Sequence, residues 1–172
     1  LGNVLQGISI EENYLYTGGA LFAFLNPYAL LVGTSALALF MMHGAIYLLL
    51  KTEGQLYDQI TGLLKKGMIF FIVSFGILTL YTLLYVPHLS DTFRNNPILF
   101  AVPLLVFLSI ANVPRLASKR KYLHAFVFSS ITISLLLIVV AIELYPNLLL
   151  STVDPAYNID IYNAASSTKS LK

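Results

Sequence analysis

The sequence predicts an all-α integral membrane protein, an antiparallel four-helix transmembrane bundle, on three observations. The first is composition: 58% of the 172 residues are hydrophobic and 10% are charged, against about 25% charged in an average soluble domain. One soluble core could not hide that much apolar surface, so lipid is the expected solvent. The second is that four stretches reach or approach the run of about 20 apolar residues that a spanning helix needs. The third is the placement of basic charge, most of which falls in the loops on one side.

The first span is predicted over about residues 28–50. It is entered through Asn26-Pro27, where a proline at a first helical position gives up an N–H that has no partner anyway. The second covers about 68–86 and stops before Pro87. The third, about 98–113, is the shortest; Pro97 and Pro114 bracket it, and Pro103 inside it is expected to kink the helix. The fourth covers about 122–145 and ends at Pro146. Residues 1–27 are read as an outward-facing loop leading into the first helix, and 147–172 as an outward-facing loop before a missing final helix. Between the first two spans, TEGQLYDQITGLLKK (52–66) is expected to extend the first helix along the membrane surface, with Leu56, Ile60 and Leu63 on one side. The chain starts at Leu1 without a signal peptide and stops abruptly at SSTKSLK, so a longer parent is expected.

Seven of the ten basic residues lie in the loops that follow the first and third spans: Lys51, Lys65, Lys66, Arg115, Lys119, Arg120 and Lys121. Arg94, Lys169 and Lys172 fall on the other side. The excess of positive charge on cytoplasmic loops then places 51–67 and 114–121 in the cytoplasm. A net charge of +2 without a basic, aromatic-lined stripe excludes a nucleic-acid partner. The absence of cysteine excludes disulfides, thiolate metal sites and cysteine nucleophiles. Tryptophan is absent too, which leaves Tyr and Phe as interfacial anchors.

Three histidines are candidate haem or metal ligands, and two ligands of one haem must face each other at one depth. His43 lies about 12 Å inside the boundary at Lys51, and His124 about 4–5 Å inside Lys121, at 1.5 Å per residue. His88 falls in a loop beyond the helices. No two match, so a haem shared within the chain is not expected. His43 then has two readings: a hydrogen bond across helices, or proton relay and cofactor contact. Glu143, the one carboxylate inside a predicted span, sits near the outer end, where it either takes part in proton transfer or stays wetted; its depth differs from that of His43, so direct pairing is not expected. Ser129, Ser130, Thr132 and Ser134, with Thr34 and Ser35, suit helix packing, and Ser129 and Ser130 could also line a polar path. Asp154 and Asp160 are a weak cation signal. Neither a Gly-x-Ser-x-Gly elbow nor a phosphate loop occurs.

The stretches GNVLQG (2–7), YTG (16–18), LNPYALLVG (25–33), HGAIYLLLKTEGQL (43–56), NPILFAVP (96–103), HAFVFSSITI (124–133) and YNAASSTKSLK (162–172) follow one another as in a known family. The chain resembles subunit II of the cytochrome bd quinol oxidases over nearly its whole length. The resemblance implies two four-helix bundles and a further helix, of which this chain would be the second bundle. It implies membership of a terminal oxidase in the cytoplasmic membrane of a prokaryote that oxidises quinol and reduces dioxygen to water. Haem b and haem d would belong to the partner, subunit I, which subunit II braces; a structural quinone occurs in some members. No catalytic, cofactor-binding or metal-binding residue carries over to this chain. Some members carry glutamine where His43 stands, which fits a packing or polar-contact role and not haem ligation. The alternative is a stand-alone four-helix carrier or channel using His43 and Glu143. A self-sufficient b-type cytochrome is opposed by the unmatched histidine depths.

Overall fold

The computed structural model describes residues 1–12, 15–86 and 96–166. Pro87, His88, Arg94, Lys169 and Lys172 lie outside them. Helix α1 covers Gly2–Gln6, α2 Pro27–Leu49, α3 Gly54–Tyr85, α4 Ala101–Ser118 and α5 Tyr122–Leu144. Two short strands follow, β1 Asn147–Leu149 and β2 Ile159–Asp160. Helices α2, α3 and α5, and α4 together with its leading 3-10 turn from Pro97, are each long and apolar enough to cross a membrane. The protein is an all-α integral membrane bundle, as its hydropathy predicts.

Helix α2 begins where the Asn-Pro pair places it. Asn26 Oδ1 accepts from the Ala29 amide at 2.8 Å, and Pro27 occupies the first turn. That satisfies one of the orphan N–H groups of the helix start. The helix does not continue through 52–66. Thr52 Oγ1 donates back to the Leu48 carbonyl at 2.8 Å, Glu53 is extended, and Gly54 takes φ +65°, which glycine adopts without a Cβ clash. The chain therefore reverses, and the amphipathic segment opens α3 instead of extending α2. At 32 residues, α3 is about 48 Å long and overshoots a hydrocarbon layer of about 30 Å. Its inward stripe is Ile60, Leu64, Gly67, Phe71 and Ser74, all buried. Of the predicted trio only Ile60 faces the core, for Leu56 and Leu63 are exposed.

The third span also differs from its expectation. Pro103 is the third residue of α4, where an N–H lacks an intrahelical partner in any case. The proline inside the helix is Pro114, and α4 runs past it to Ser118. Val113 and Ala117, both buried, pack this last turn against the core.

Helices α2 and α3 form one antiparallel hairpin and α4 and α5 another, and α2 against α5 joins the two. Ala38, Met42, Ile46, Phe71, Val106 and Ala125 centre the shared core, and the Phe75 and Phe107 rings meet across the hairpins at 6.0 Å. Large apolar side chains such as Leu37, Phe40, Ile69, Leu80 and Leu137 remain exposed. In lipid this carries little penalty, because helix association rests on close packing and hydrogen bonds rather than on removing apolar area from water.

At the end opposite Lys51, the segments read as loops are paired to each other. The Ile8 amide donates to the Leu150 carbonyl at 2.9 Å, and the Thr152 amide returns a bond to the Ile8 carbonyl at 3.0 Å. Ser151 Oγ donates to the Ile10 carbonyl at 2.7 Å. Strands β1 and β2 are antiparallel, with Asn147 opposite Asp160 and Leu149 opposite Ile159. Under this cap Leu5, Tyr28, Val32 and Val86 make a second, smaller core.

Candidate functional site

His43 sits on the side of α2 that meets α5. Its Nδ1 lies 2.7 Å from Ser129 Oγ. Ser129 Oγ also donates to the Phe126 carbonyl of its own helix, at 2.8 Å. Toward His43 either partner can donate, because a serine hydroxyl rotates and the neutral imidazole has two tautomers. The ring stacks on Phe126, with centroids 4.6 Å apart and planes at 25°, and Tyr47 tilts against the same phenyl at 5.9 Å. Ser129 is fully buried and His43 half-buried. The sequence held a signal for this pair: His43 is eight residues before Lys51, and Ser129 eight residues after Lys121. Equal depths on neighbouring helices were there to be matched.

The other hydroxyls of α5 behave alike. Ser130 Oγ donates to the Phe126 carbonyl at 3.0 Å, Thr132 Oγ1 to that of Phe128 at 2.9 Å, and Ser134 Oγ to that of Ser130 at 3.1 Å. Each hydroxyl has a carbonyl acceptor within its own helix, a common arrangement for Ser and Thr in mid-helix. A second contact between helices comes from Ser109 of α4, which sequence reasoning missed: its Oγ is 2.9 Å from Thr132 Oγ1 and donates to the Phe128 carbonyl at 2.9 Å. In α2, Thr34 is exposed and Ser35 is buried.

Glu143 belongs to a different place. It lies fourteen residues beyond Ser129 on α5, about 21 Å along the axis, and is half-buried beneath the cap. There it interacts electrostatically with Tyr28, whose hydroxyl is 3.2 Å from Thr82 Oγ1. His43 and Glu143 are thus not brought together. His124 is exposed, five residues before Ser129, about 7–8 Å along the helix, and so does not share the depth of His43. Asp154 and Asp160 serve local turns: Asp154 Oδ1 accepts from the Ala156 amide, and Asp160 Oδ1 from the amides of Tyr162 and Asn163. Among the described residues no group of three or more His, Asp or Glu gathers as a metal site.

The whole chain, residues 1–172, matches the family described as cytochrome bd terminal oxidase subunit II. The chain belongs to that family. It is 26% identical over 200 aligned residues to cytochrome bd-I ubiquinol oxidase subunit 2 of Escherichia coli K12, covering 99% of this chain and 52% of that protein. It is 27% identical over 201 aligned residues to the probable cytochrome oxidase subunit 2 of Haemophilus influenzae, again covering 99% and 52%. With cytochrome bd ubiquinol oxidase subunit 2 of Bacillus subtilis it shares 25% identity over 153 residues, 87% of this chain and 43% of the other. The chain spans about half the length of the curated relatives it matches.

Proposed function

We propose that this chain is a non-catalytic, bracing part of a cytochrome bd quinol oxidase, packed beside a subunit I that carries haem b and haem d. The complex oxidises quinol and reduces dioxygen to water. The observation that carries this reading is the match of all 172 residues to subunit II, on a bundle whose surface is largely apolar side chains. The local chemistry supports it. His43 is engaged between two helices by Ser129 and Phe126, which suits a structural contact. The α5 hydroxyls have carbonyl acceptors on their own helix, and Glu143 stands about 21 Å from Ser129 along α5, which sets the two candidate residues of a carrier far apart. Lys51, Lys65, Lys66, Arg115 and 119–121 lie at one end of the bundle; by the positive-inside bias this end is cytoplasmic and the cap faces outward, in the cytoplasmic membrane of a prokaryote.

The test is the reduced-minus-oxidised spectrum of the parent complex, purified gently through a tag on this subunit. Bands of both b and d haems with a copurifying large subunit are expected. An intact but colourless preparation would overturn the oxidase reading. In the same complex His43→Gln is expected to keep haem content and oxidase activity within about twofold, the scale of one weak interhelical bond; a large loss of turnover with normal haem would make His43 functional.

A further inference from the structure

The loop that leads into α2 is fastened at its base and apolar at its tip. The Thr17 amide donates to the Ser9 carbonyl at 3.0 Å, the Tyr16 ring stacks on Phe24 with centroids 5.3 Å apart, and Asn3 Nδ2 donates to the Phe24 carbonyl at 2.9 Å. Residues Leu21–Phe24 form a 3-10 turn. Two of its bonds keep backbone groups occupied: the Ala23 amide donates to the Ala20 carbonyl at 2.9 Å, and the Leu25 amide to that of Phe22 at 3.0 Å. On this frame Leu21 is 79% exposed, Phe22 80% and Leu25 57%. A turn that faces water is normally made from Gly, Pro, Asn, Asp and Ser. ALFAFL (20–25) contains none of them.

The position of the turn says what covers it. Helix α2 has 23 residues, about 35 Å of helix, little more than a hydrocarbon layer of about 30 Å. Its N-cap, Asn26, therefore stands at the boundary of that layer. Phe22 is four residues earlier, at most about 14 Å away along an extended chain, and the bond from Leu25 to Phe22 shortens that reach. The headgroup region is about 5–8 Å deep on each side, so the turn lies in it or beside it. No Asp, Glu, Lys or Arg occurs between Glu12 and Lys51, and residues 18–25 include no polar side chain. A protein partner is met through an apolar centre with a polar rim, and this stretch supplies no rim. Leucine and phenylalanine beside a bilayer boundary are what the headgroup–acyl interface takes up.

We propose that Leu21 and Phe22 insert into the headgroup–acyl boundary of the lipid leaflet on the cap side, so that the loop anchors the cap and the start of α2 to the bilayer surface. The ligand is phospholipid, held through its acyl chains and not through headgroup charge, since no cationic side chain adjoins the turn in sequence. The inference rests on the membrane bundle and not on the oxidase reading, so loss of either leaves the test of the other intact.

The experiment carries a nitroxide at Phe22→Cys in the full-length protein within its native assembly, with other reactive cysteines replaced, in phosphatidylcholine vesicles. Power saturation reads how often the label collides with dioxygen and with a water-soluble nickel chelate. Dioxygen is expected to exceed nickel, at a label depth of about 5–10 Å, and replacing a third of the lipid by phosphatidylglycerol should leave that depth unchanged. Leu21→Cys, which keeps the Phe22 ring, is expected to give the same reading. A label at either position that nickel reaches more readily than dioxygen would put the turn in water and overturn the proposal. A label shielded from both would mean that protein covers the turn, which overturns it equally. A depth that grew with phosphatidylglycerol would show attraction by charge and remove the apolar anchor.

Discussion

The contact at His43 and the cap at the far end solve one problem by opposite means. At His43, within the lipid layer, the helices α2 and α5 meet through polar and aromatic side chains. At the cap, outside the layer, backbone meets backbone: Ile8 with Leu150 and Thr152, and Ser151 Oγ with the Ile10 carbonyl. The difference follows from solvent. Lipid forbids an open backbone, so only side chains are left to specify which helices touch. Water tolerates irregular backbone, so distant segments can be joined by main-chain bonds and small residues. The cap is therefore expected to be sensitive to added bulk and the mid-span contact to lost hydrogen bonds.

The strongest way to break that comparison is to add bulk under the cap. A Cβ on Gly2 would stand 2.6 Å from Ala29 Cα, a backbone atom that cannot swing aside. Gly2→Val should push α1 off α2 at a cost of about 1–3 kcal/mol, the range for overpacking. Hydrogen exchange should speed up in 1–12 and in 147–160 together, with α4 unchanged. Faster exchange in 1–12 alone would mean that the two segments do not stabilise each other.

Ser151→Ala should come next. It removes the bond to the Ile10 carbonyl and the acceptor that serves the Val153 amide at 3.1 Å. A hydrogen bond of this kind is worth about 1 kcal/mol. The effect should appear as faster exchange of the Ile8 and Thr152 amides, and unchanged protection there would reduce the serine to a bystander.

These two regions were not equally legible in the sequence. Hydropathy and prolines placed the four spans because lipid imposes one requirement on every spanning residue, and Asn26-Pro27 marked a helix start that the structure repeats. The reach of α3 down to Gly54 was hidden: its first turns mix polar with apolar residues, and only Ile60 and Leu64 continue the buried stripe. The prolines of α4 misled for a positional reason, since Pro103 falls in a first turn and Pro114 inside a helix that packing carries onward. Ser129 and His43 were each visible as candidates, but their meeting spans 86 positions and needed the two depths to be compared. The cap was illegible. Ser151 and Ile10 are 141 positions apart, and main-chain pairing leaves no side-chain pattern to read.

Within the lipid layer the comparison is sharpened by Ser129→Ala. The substitution keeps the volume nearly unchanged and deletes the hydroxyl that bonds His43 Nδ1. Interhelical bonds in a bilayer average about 0.6 kcal/mol, so a modest drop in thermal retention of the detergent-solubilised complex is expected, smaller than that from Ser151→Ala. A loss several times larger would show that Ser129 holds more than one ring in place.

The smallest effect tests the cap by pH. Tyr162 lies outside the spans, and its hydrogen bond with Tyr145 pushes its phenol above the ordinary value of 10.0, followed by the charge of Tyr145, desolvation and Asp160. A phenol raised in the folded state favours folding while it stays protonated, so its contribution is fully present below about pH 10 and is lost as pH rises through the folded value. Absorbance of the phenolate should therefore show Tyr162 titrating later than a free tyrosine. In Tyr145→Phe the hydrogen bond is gone, and Tyr162 should return toward the ordinary value with the β1–β2 hairpin otherwise intact. If its titration did not move, the tyrosine pair would play no part in fastening the tail to the end of α5, and the cap would rest on its main-chain bonds alone.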